Sequence, residues 1–239
     1  MIVRPFLFAL SVLFAAVWSL PANAVPDSAR SREAVKRVTP GLTKALSEKD
    51  LKLGAQVFIQ IIKQSNELHL YLDKGDGTYG LFKTYPICSW SGELGPKQKE
   101  GDGQSPEGFY PIKPGQMHPT SSFHLSFNLG FPNAYDRAKG RTGSYLMVHG
   151  NCVSIGCYAM TDTGIEEIWT LMTAAYEAGQ PAIPVHAFPF AMTEENLAAY
   201  KDNQWSDFWS ELEPAWRKFQ VNKTPPSIRI SNGRYVIRD

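Results

Sequence analysis

The sequence predicts a mainly β, α+β fold, with a β-sandwich-like core, helices packed on that core and a C-terminal β-hairpin. Up to residue 157, segments rich in β-branched and aromatic residues alternate with turn residues, as strands do. Beyond Cys157 the apolar residues change to helical spacing, which indicates helices in the last third of the chain. Near the C-terminus, two alternating segments flank Asn232-Gly233, a strong hairpin signal.

Length and composition suit one globular domain. The chain has 239 residues, of which 43% are hydrophobic and 20% are charged, enough for a sizeable core. Its net charge of +1 shows neither the basic surface of a nucleic-acid-binding protein nor that of a protein bound to anionic membranes. We therefore expect no nucleic-acid partner, and the sequence indicates no cofactor.

The N-terminus has the three parts of a secretory signal peptide. Arg4 supplies the positive charge, residues 6–18 form the apolar region, and Ala22-Asn23-Ala24 is a small-x-small cleavage site. The apolar region is too short to span a membrane, and no later segment is apolar enough. We expect residues 1–24 to be removed on export, leaving no integral membrane segment; an uncleaved anchor is the alternative.

Residues 25–54 are predicted to form an N-terminal extension. This stretch is polar and charged, and Pro26, Pro40 and Gly41 interrupt it. Its scattered apolar positions allow one or two short helices that pack weakly, or a linker. The extension shows no residues that suggest catalysis.

Residues 55–190 carry the predicted strands of the core. These strands are 56–62, 68–72, one or two strands within 78–87, 145–148 and 183–190. Prolines near both ends of the last strand favour an edge position in its sheet. The intervening segment 89–109 is rich in glycine, which indicates tight turns or close approach of the backbone.

Helices are predicted after the strand region. Thr163 and Glu166 have the spacing of a capping box, which predicts a helix with Thr163 as its N-cap. Residues 206–220 predict another helix, broken or restarted at Pro214. Together with the closing hairpin, the later helices make up residues 191–239, which we expect to pack on the core.

A histidine and a cysteine close to strand 145–148 have the parts of a nucleophile and its base. His149 follows the strand, and Ser154-Ile-Gly-Cys157 forms a tight turn after which a helix is predicted to begin. Because the thiolate is the reactive form, we expect a protonated His149 and N–H groups near the helix start to lower the pKa of Cys157. The N–H of Gly156 is a candidate oxyanion donor, and Gly150 leaves room behind the imidazole.

These residues resemble the active-site signature of the murein L,D-transpeptidases, the family with a YkuD-like catalytic domain. That signature is His-Gly, a variable loop, and Ser-x-Gly-Cys-x-Arg; here it is His149-Gly150 and Ser154 to Ala159. The run Gly101 to Tyr110 resembles a second motif of the family, and residues 129–137 look most like its YafK-like subgroup. Two features depart from the family: the loop is short, and Ala159 stands where the arginine is expected.

The resemblance implies an L,D-transpeptidase-type fold, with residues 55–190 as the catalytic domain, and a periplasmic enzyme of cell wall organisation and cell shape. Cys157 is then expected to attack the L-centre carbonyl of diaminopimelate in peptidoglycan stem peptides, with His149 as general base and acid. Water is the favoured acceptor of the resulting thioester, as in an amidase that releases murein-bound outer-membrane lipoprotein. The alternatives are transfer to an amine, which is cross-linking or protein attachment, and a module that binds murein without turnover.

Four residues are candidates for substrate binding: Ser154, Tyr158, Arg137 and Arg141. Alanine at position 159 cannot hold the carboxylate that the family's arginine would bind, so another basic residue is needed. Arg137, Arg141 or Lys97 are candidates for that role, and surface salt bridges are the alternative for the two arginines.

Two further cysteines accompany Cys157, namely Cys88 and Cys152. In an oxidising compartment these two could pair and spare Cys157, although the sequence favours two unpaired thiols. A zinc site formed by His149, Cys152 and Cys157 is a further alternative. No Cys-x-x-Cys or His-x-x-x-His spacing supports that site.

Overall fold

The structure, a computed structural model, describes residues 24–238. The predicted signal peptide, with Arg4 and residues 6–18, lies outside the described residues except for Ala24. None of the helices among the described residues is long and apolar enough to cross a membrane.

Eleven strands and five α-helices are found in the described part of the chain. The strands are β1 (Val57–Ile62), β2 (Glu67–Asp73), β3 (Tyr79–Pro86), β4 (Gly108–Ile112), β5 (Met117–His118), β6 (Ser126–Asn128), β7 (Met147–His149), β8 (Tyr158–Ala159), β9 (Ile183–Phe188), β10 (Ser227–Ser231) and β11 (Arg234–Arg238). The helices are α1 (Ala29–Ser47), α2 (Ala134–Ala138), α3 (Asp162–Glu177), α4 (Glu194–Ala199) and α5 (Ser206–Asn222).

The first sheet has the strand order β3-β2-β1-β9-β4, so β9 lies inside it and the predicted edge position is wrong. Its prolines are tolerated because of where they fall. Pro184 lies opposite Pro111 of β4, so two missing N–H donors share one ladder position. The parallel pairing with β1 includes only residues from Val185 onward, beyond the proline.

The second sheet has the order β5-β6-β7-β8 and shares one apolar core with the first. Ile59 and Leu70 of the first sheet lie in the same buried cluster as Phe127, Val148 and Tyr158 of the second. Two sheets over one core, with helices outside, confirm the predicted α+β, sandwich-like fold. Because β7 pairs with β6 on one side and β8 on the other, the residues around its end are held from both sides.

The C-terminal elements cover the other face of the first sheet. Side chains alternate along a strand, and Phe58 and Ile62 of β1 accordingly face away from the shared core. Ile62 packs in a second cluster with Trp209 and Leu212 of α5, while Phe58 contacts Phe219. The hairpin of β10 and β11 turns at Asn232-Gly233 as predicted. The division into residues 55–190 and 191–239 stays a prediction.

The N-terminal extension is one long helix, which corrects the expectation of weak packing. Helix α1 has 19 residues and runs through Pro40, with Ser28 as its N-cap. Ala34, Leu42 and Leu46 are buried in the shared core. Burial of this apolar face offsets the hydrogen bond that the proline cannot donate.

Two helix predictions need correction. Helix α3 is capped by Thr161, whose side chain accepts from the Gly164 N–H at 3.0 Å, and not by Thr163. The carboxylate of Glu166 binds Arg37 of α1 and therefore does not complete a capping box. Helix α5 continues through Pro214, because its predicted inner stripe is buried. This stripe is Phe208, Leu212, Ala215 and Phe219.

A buried ion pair fixes the glycine-rich segment between β3 and β4. The Lys63 ammonium donates to Glu107 Oε1 at 3.0 Å, and both side chains are fully buried. The same ammonium donates to the carbonyls of Gly95 and Ser105 at 3.0 Å each. Glu107 also accepts from Trp209 Nε1 of α5 at 2.8 Å. The segment is therefore tied both to the end of β1 and to a C-terminal helix.

Candidate active site

His149 ends β7 with its side chain buried and its ring nitrogen Nδ1 2.6 Å from the carbonyl of Gly150. A hydrogen bond to a carbonyl requires the proton on Nδ1, which leaves Nε2 as the basic nitrogen. Burial lowers the pKa of His149, and the Gly150 carbonyl opposes this effect. The ring is therefore a neutral base of fixed tautomer.

Gly150 is required for close packing beside His149. A Cβ there would come within 2.5 Å of Asp162 Oδ1 and 3.1 Å of His124 Cβ. The room that this glycine leaves is thus taken by neighbouring side chains. Its N–H donates to the carbonyls of Phe123 and Leu125 at 3.0 and 3.2 Å.

Cys157 lies in the turn before β8, with helix α3 beginning only at Asp162, so the predicted helix start beside the sulfur is wrong. Burial raises the pKa of Cys157, while the Met147 N–H and the charge of Lys97 lower it. The Met147 N–H lies 3.4 Å from the sulfur. Burial therefore disfavours the charged forms of both Cys157 and His149, the opposite of the effect that the sequence predicted for the thiol.

The strand that ends at His149 pairs with the strand that directly follows Cys157. His149 pairs with Ala159, two residues after the cysteine. Within residues 24–238, Cys157 Sγ bonds to the Met147 N–H and, at 3.7 Å, to the Tyr145 carbonyl, and no hydrogen bond joins it to His149. Catalytic hydrogen bonds are often long without substrate and tighten when substrate binds, so this resting geometry is compatible with His149 as the base.

The turn before Cys157 is held by Ser154. Its hydroxyl donates to the Cys157 carbonyl at 2.7 Å and accepts from the Gly156 N–H at 3.2 Å. Gly156 has a φ of +131°, which other residues rarely adopt. Its N–H, the predicted oxyanion donor, is thus already engaged. Among the described residues the Cys157 N–H has no acceptor, which makes it the better donor.

Two predicted binding residues are structural. Tyr158 is fully buried, and its hydroxyl donates to the Pro106 carbonyl at 2.7 Å. Arg141 is buried too: its Nη1 donates to Asp136 at 2.9 Å and its guanidinium lies over the Phe208 ring. The alternative of a surface salt bridge is also wrong for Arg141, because its ion pair is inside the protein.

The remaining basic candidates lie in different places. Arg137 donates to the Pro132 carbonyl and lines a cavity of about 860 Å³ beside β4, β9 and β10, whose described lining includes neither Cys157 nor His149. Lys97, by contrast, is close enough for its charge to lower the pKa of Cys157. Its ammonium donates to Asp102 Oδ1 at 2.6 Å.

A disulfide joins Cys88 to Cys152, which corrects the expectation of two unpaired thiols. It ties the loop between His149 and Cys157 to the end of β3 and leaves Cys157 as the free cysteine of the described residues. Cys152 is therefore unavailable as a zinc ligand. Over residues 24–238, no group of three metal-ligating side chains is positioned to hold an ion.

Replacing both Cys88 and Cys152 with serine should lower the free energy of unfolding by about 2–4 kcal/mol, because the bond spans 64 positions of the unfolded chain. Denaturant unfolding of both proteins measures the difference. A reducing agent should destabilise the wild type and leave the double variant unchanged. Mass spectrometry without reduction should detect the linked peptides; finding only separate peptides contradicts the pairing.

Comparison with known proteins gives one family. The model of the YkuD family, the L,D-transpeptidase catalytic domain, matches residues 56–186. The YafK protein of Escherichia coli (strain K12), whose name assigns it to the L,D-transpeptidases, is 48% identical over 185 residues, covering 77% of this chain and 75% of the relative. The same values hold for YafK of Escherichia coli O157:H7.

Two solved structures are also similar. The helical cell shape determining protein Pgp2 from Campylobacter jejuni is 18% identical, with a TM-score of 0.44 over 80% of each chain. Bd1075 of Bdellovibrio bacteriovorus is 17% identical, with a TM-score of 0.41 over 74% of this chain and 77% of the other.

Proposed function

The chain belongs to the YkuD family of L,D-transpeptidase catalytic domains, and on that premise we propose that it cleaves peptidoglycan-linked acyl groups with Cys157 as nucleophile. The observation that carries the proposal is the setting of the sulfur. Burial raises the pKa of Cys157, and a backbone N–H of Met147 and the charge of Lys97 partly offset that rise. On the neighbouring strand, the hydrogen bond from Nδ1 to the Gly150 carbonyl fixes the tautomer of His149 and leaves Nε2 as the basic nitrogen.

The reaction begins from two neutral groups. When the stem peptide binds, His149 Nε2 takes the proton of Cys157, and the thiolate attacks the L-centre carbonyl of diaminopimelate. The Cys157 N–H stabilises the oxyanion of the tetrahedral intermediate. The carbon–nitrogen bond then breaks, His149 returns its proton to the leaving amine, and a thioester on Cys157 remains.

Water is the proposed acceptor of this thioester. His149 removes a proton from water, which attacks the thioester carbonyl; the carbon–sulfur bond breaks, the stem peptide leaves with a free carboxyl group, and His149 returns the proton to the sulfur. The enzyme is then an amidase of the periplasm that releases murein-linked outer-membrane lipoprotein, with an effect on cell wall organisation and cell shape. Transfer to an amine is the second candidate, because the names of the family and of its YafK relatives specify transpeptidation.

Incubation with lipoprotein-bearing sacculi tests the direction of the reaction. Free lipoprotein is the expected product. It should carry no diaminopimelate, because the bond that is cut joins the diaminopimelate carbonyl to the amine of the lipoprotein. New cross-links or newly attached protein would show that the protein is a transferase and not a hydrolase. A binding module without turnover would give neither product and no thioester adduct at Cys157 with a carbapenem.

Lys97 is proposed to favour the thiolate of Cys157 through its positive charge. Replacing Lys97 with methionine removes a charge that lowers the pKa of Cys157, so the pKa must rise. The pH midpoint of Cys157 alkylation by iodoacetamide should therefore move upward. Lys99→Met, an exposed position on the same loop, serves as the control. Equal midpoints in all three proteins would exclude Lys97 from this role.

A further inference from the structure

An aromatic side chain covers the imidazole of His149. The ring of Phe123 lies with its centroid 4.7 Å from that of His149, at an interplanar angle of 34°. The carbonyl of Phe123 accepts from the Gly150 N–H at 3.0 Å, which fixes the backbone on which the ring is mounted. Phe123 is 42% exposed, so part of its ring faces solvent beside the imidazole.

The N-terminal helix α1 holds the segment that carries this ring. Arg30 Nη1 donates to the carbonyl of Ser121 at 2.7 Å and to that of His124 at 2.6 Å, on either side of Phe123. Ser28 Oγ donates to the carbonyl of Pro119 at 2.9 Å. These contacts join parts of the chain that lie some ninety positions apart, as the sequence separation of 91 for the Ser28 bond shows.

A second connection reaches the same segment through α3. The ring nitrogen Nε2 of His124 lies 2.7 Å from Glu166 Oε1, and Arg37 of α1 donates to the other carboxylate oxygen at 3.1 Å. His124 has a φ of +67°, so its backbone is in the left-handed region that few such residues adopt. Glu166, itself held by Arg37, thus fixes the side chain of His124, the residue that follows Phe123.

We propose that Phe123 is a positioning residue for His149, and that α1 sets its position by holding residues 119–124. The ring closes one face of the imidazole to water, so that Nδ1–H keeps donating to the Gly150 carbonyl and Nε2 remains the basic nitrogen. Without the ring, water competes for Nδ1 and the imidazole is free to turn. The catalytic consequence rests on the proposed function, whereas the fixed tautomer does not.

Phe123→Ala should lower kcat for lipoprotein release by about 10- to 100-fold, the usual cost of a misplaced catalytic group, and change KM by less than about 3-fold. Phe123→Tyr should restore most of kcat, because it restores the ring. The positioning role would be overturned if Phe123→Ala raised KM and left kcat unchanged. It would also be overturned if Phe123→Tyr were as slow as Phe123→Ala.

The arginine contact is tested on the same helix. Arg30→Ala should lower kcat by about 3- to 10-fold, because the segment that carries Phe123 loses two hydrogen bonds. The effect should be smaller than that of Phe123→Ala, since water can replace exposed hydrogen bonds in part. Arg32→Ala is the control, since the Arg32 side chain is exposed and pairs with Asp27 at the surface. Equal kcat values for Arg30→Ala and Arg32→Ala would remove α1 from the proposal.

Nuclear magnetic resonance of the imidazole nitrogens separates this proposal from the proposed function. Wild type should show His149 protonated at Nδ1 only, and Phe123→Ala should show averaged nitrogen shifts. If the wild type releases no lipoprotein, and the two proteins nevertheless differ in this way, the proposed function fails and the positioning role stands. A fixed Nδ1 tautomer in Phe123→Ala would overturn the positioning role whatever the activity.

Discussion

Replacing Cys157 with alanine should lower the release of lipoprotein from sacculi by about 10⁴-fold or more, as expected when a nucleophile is removed. The sulfur is half-buried and outside the disulfide, so the variant should unfold at nearly the wild-type denaturant concentration. The rate of product release, measured beside an unfolding curve, tests the prediction. The carbapenem adduct should disappear in the same variant.

A variant that keeps turnover would remove Cys157 from the mechanism. Serine at this position is a useful partner for the alanine variant. Its hydroxyl is a far weaker acid than the thiol, so neither Met147 N–H nor Lys97 can make it an anion at neutral pH. Both variants should therefore be inactive, and activity in the serine variant alone would indicate a general-base mechanism that does not need a thiolate.

Replacing Lys63 with methionine should lower the free energy of unfolding by about 3–5 kcal/mol, because Glu107 would be left buried without its partner. Burial lowers the pKa of Lys63, and the Glu107 carboxylate opposes this effect. Denaturant unfolding at neutral pH measures the loss. Because Ser105 donates to the Cys157 carbonyl at 3.1 Å, activity should fall as well.

Two variants sharpen this prediction. Lys74→Met breaks a pair with Asp76 in which both side chains are about half exposed or more, and should change stability by less than about 1 kcal/mol. The double variant Lys63→Met, Glu107→Leu should recover part of the loss, since no buried charge is then unpaired. A single variant at Lys63 as stable as wild type would show that Glu107 is satisfied by its other partners.

Local patterns in the sequence were enough for much of the fold. The hairpin at Asn232-Gly233 depends on neighbouring residues alone, and the buried stripe of α5 depends on helical spacing, so both were predictable. The place of β9 was not, because a strand's neighbours are chosen by contacts far along the chain. The same reason hid the pairing of Cys88 with Cys152.

The candidate site shows the same division. Cys157 and His149 have recognisable side chains at a recognisable spacing, and the structure brings their strands together. The groups that tune them are backbone atoms, the Met147 N–H and the Gly150 carbonyl, which any residue possesses. Burial of Tyr158 and Arg141 was equally hidden, since a polar side chain does not reveal in sequence whether its partner is inside.

The burial of Cys157 also bears on how readily an oxidant attacks its sulfur. Peroxides attack thiolates far faster than thiols, and the first product, a sulfenic acid, cannot act as a nucleophile. Because burial raises the pKa of Cys157, the fraction of thiolate available to an oxidant is lower. Resistance to oxidation and low reactivity in the absence of substrate then have the same origin, the burial of Cys157.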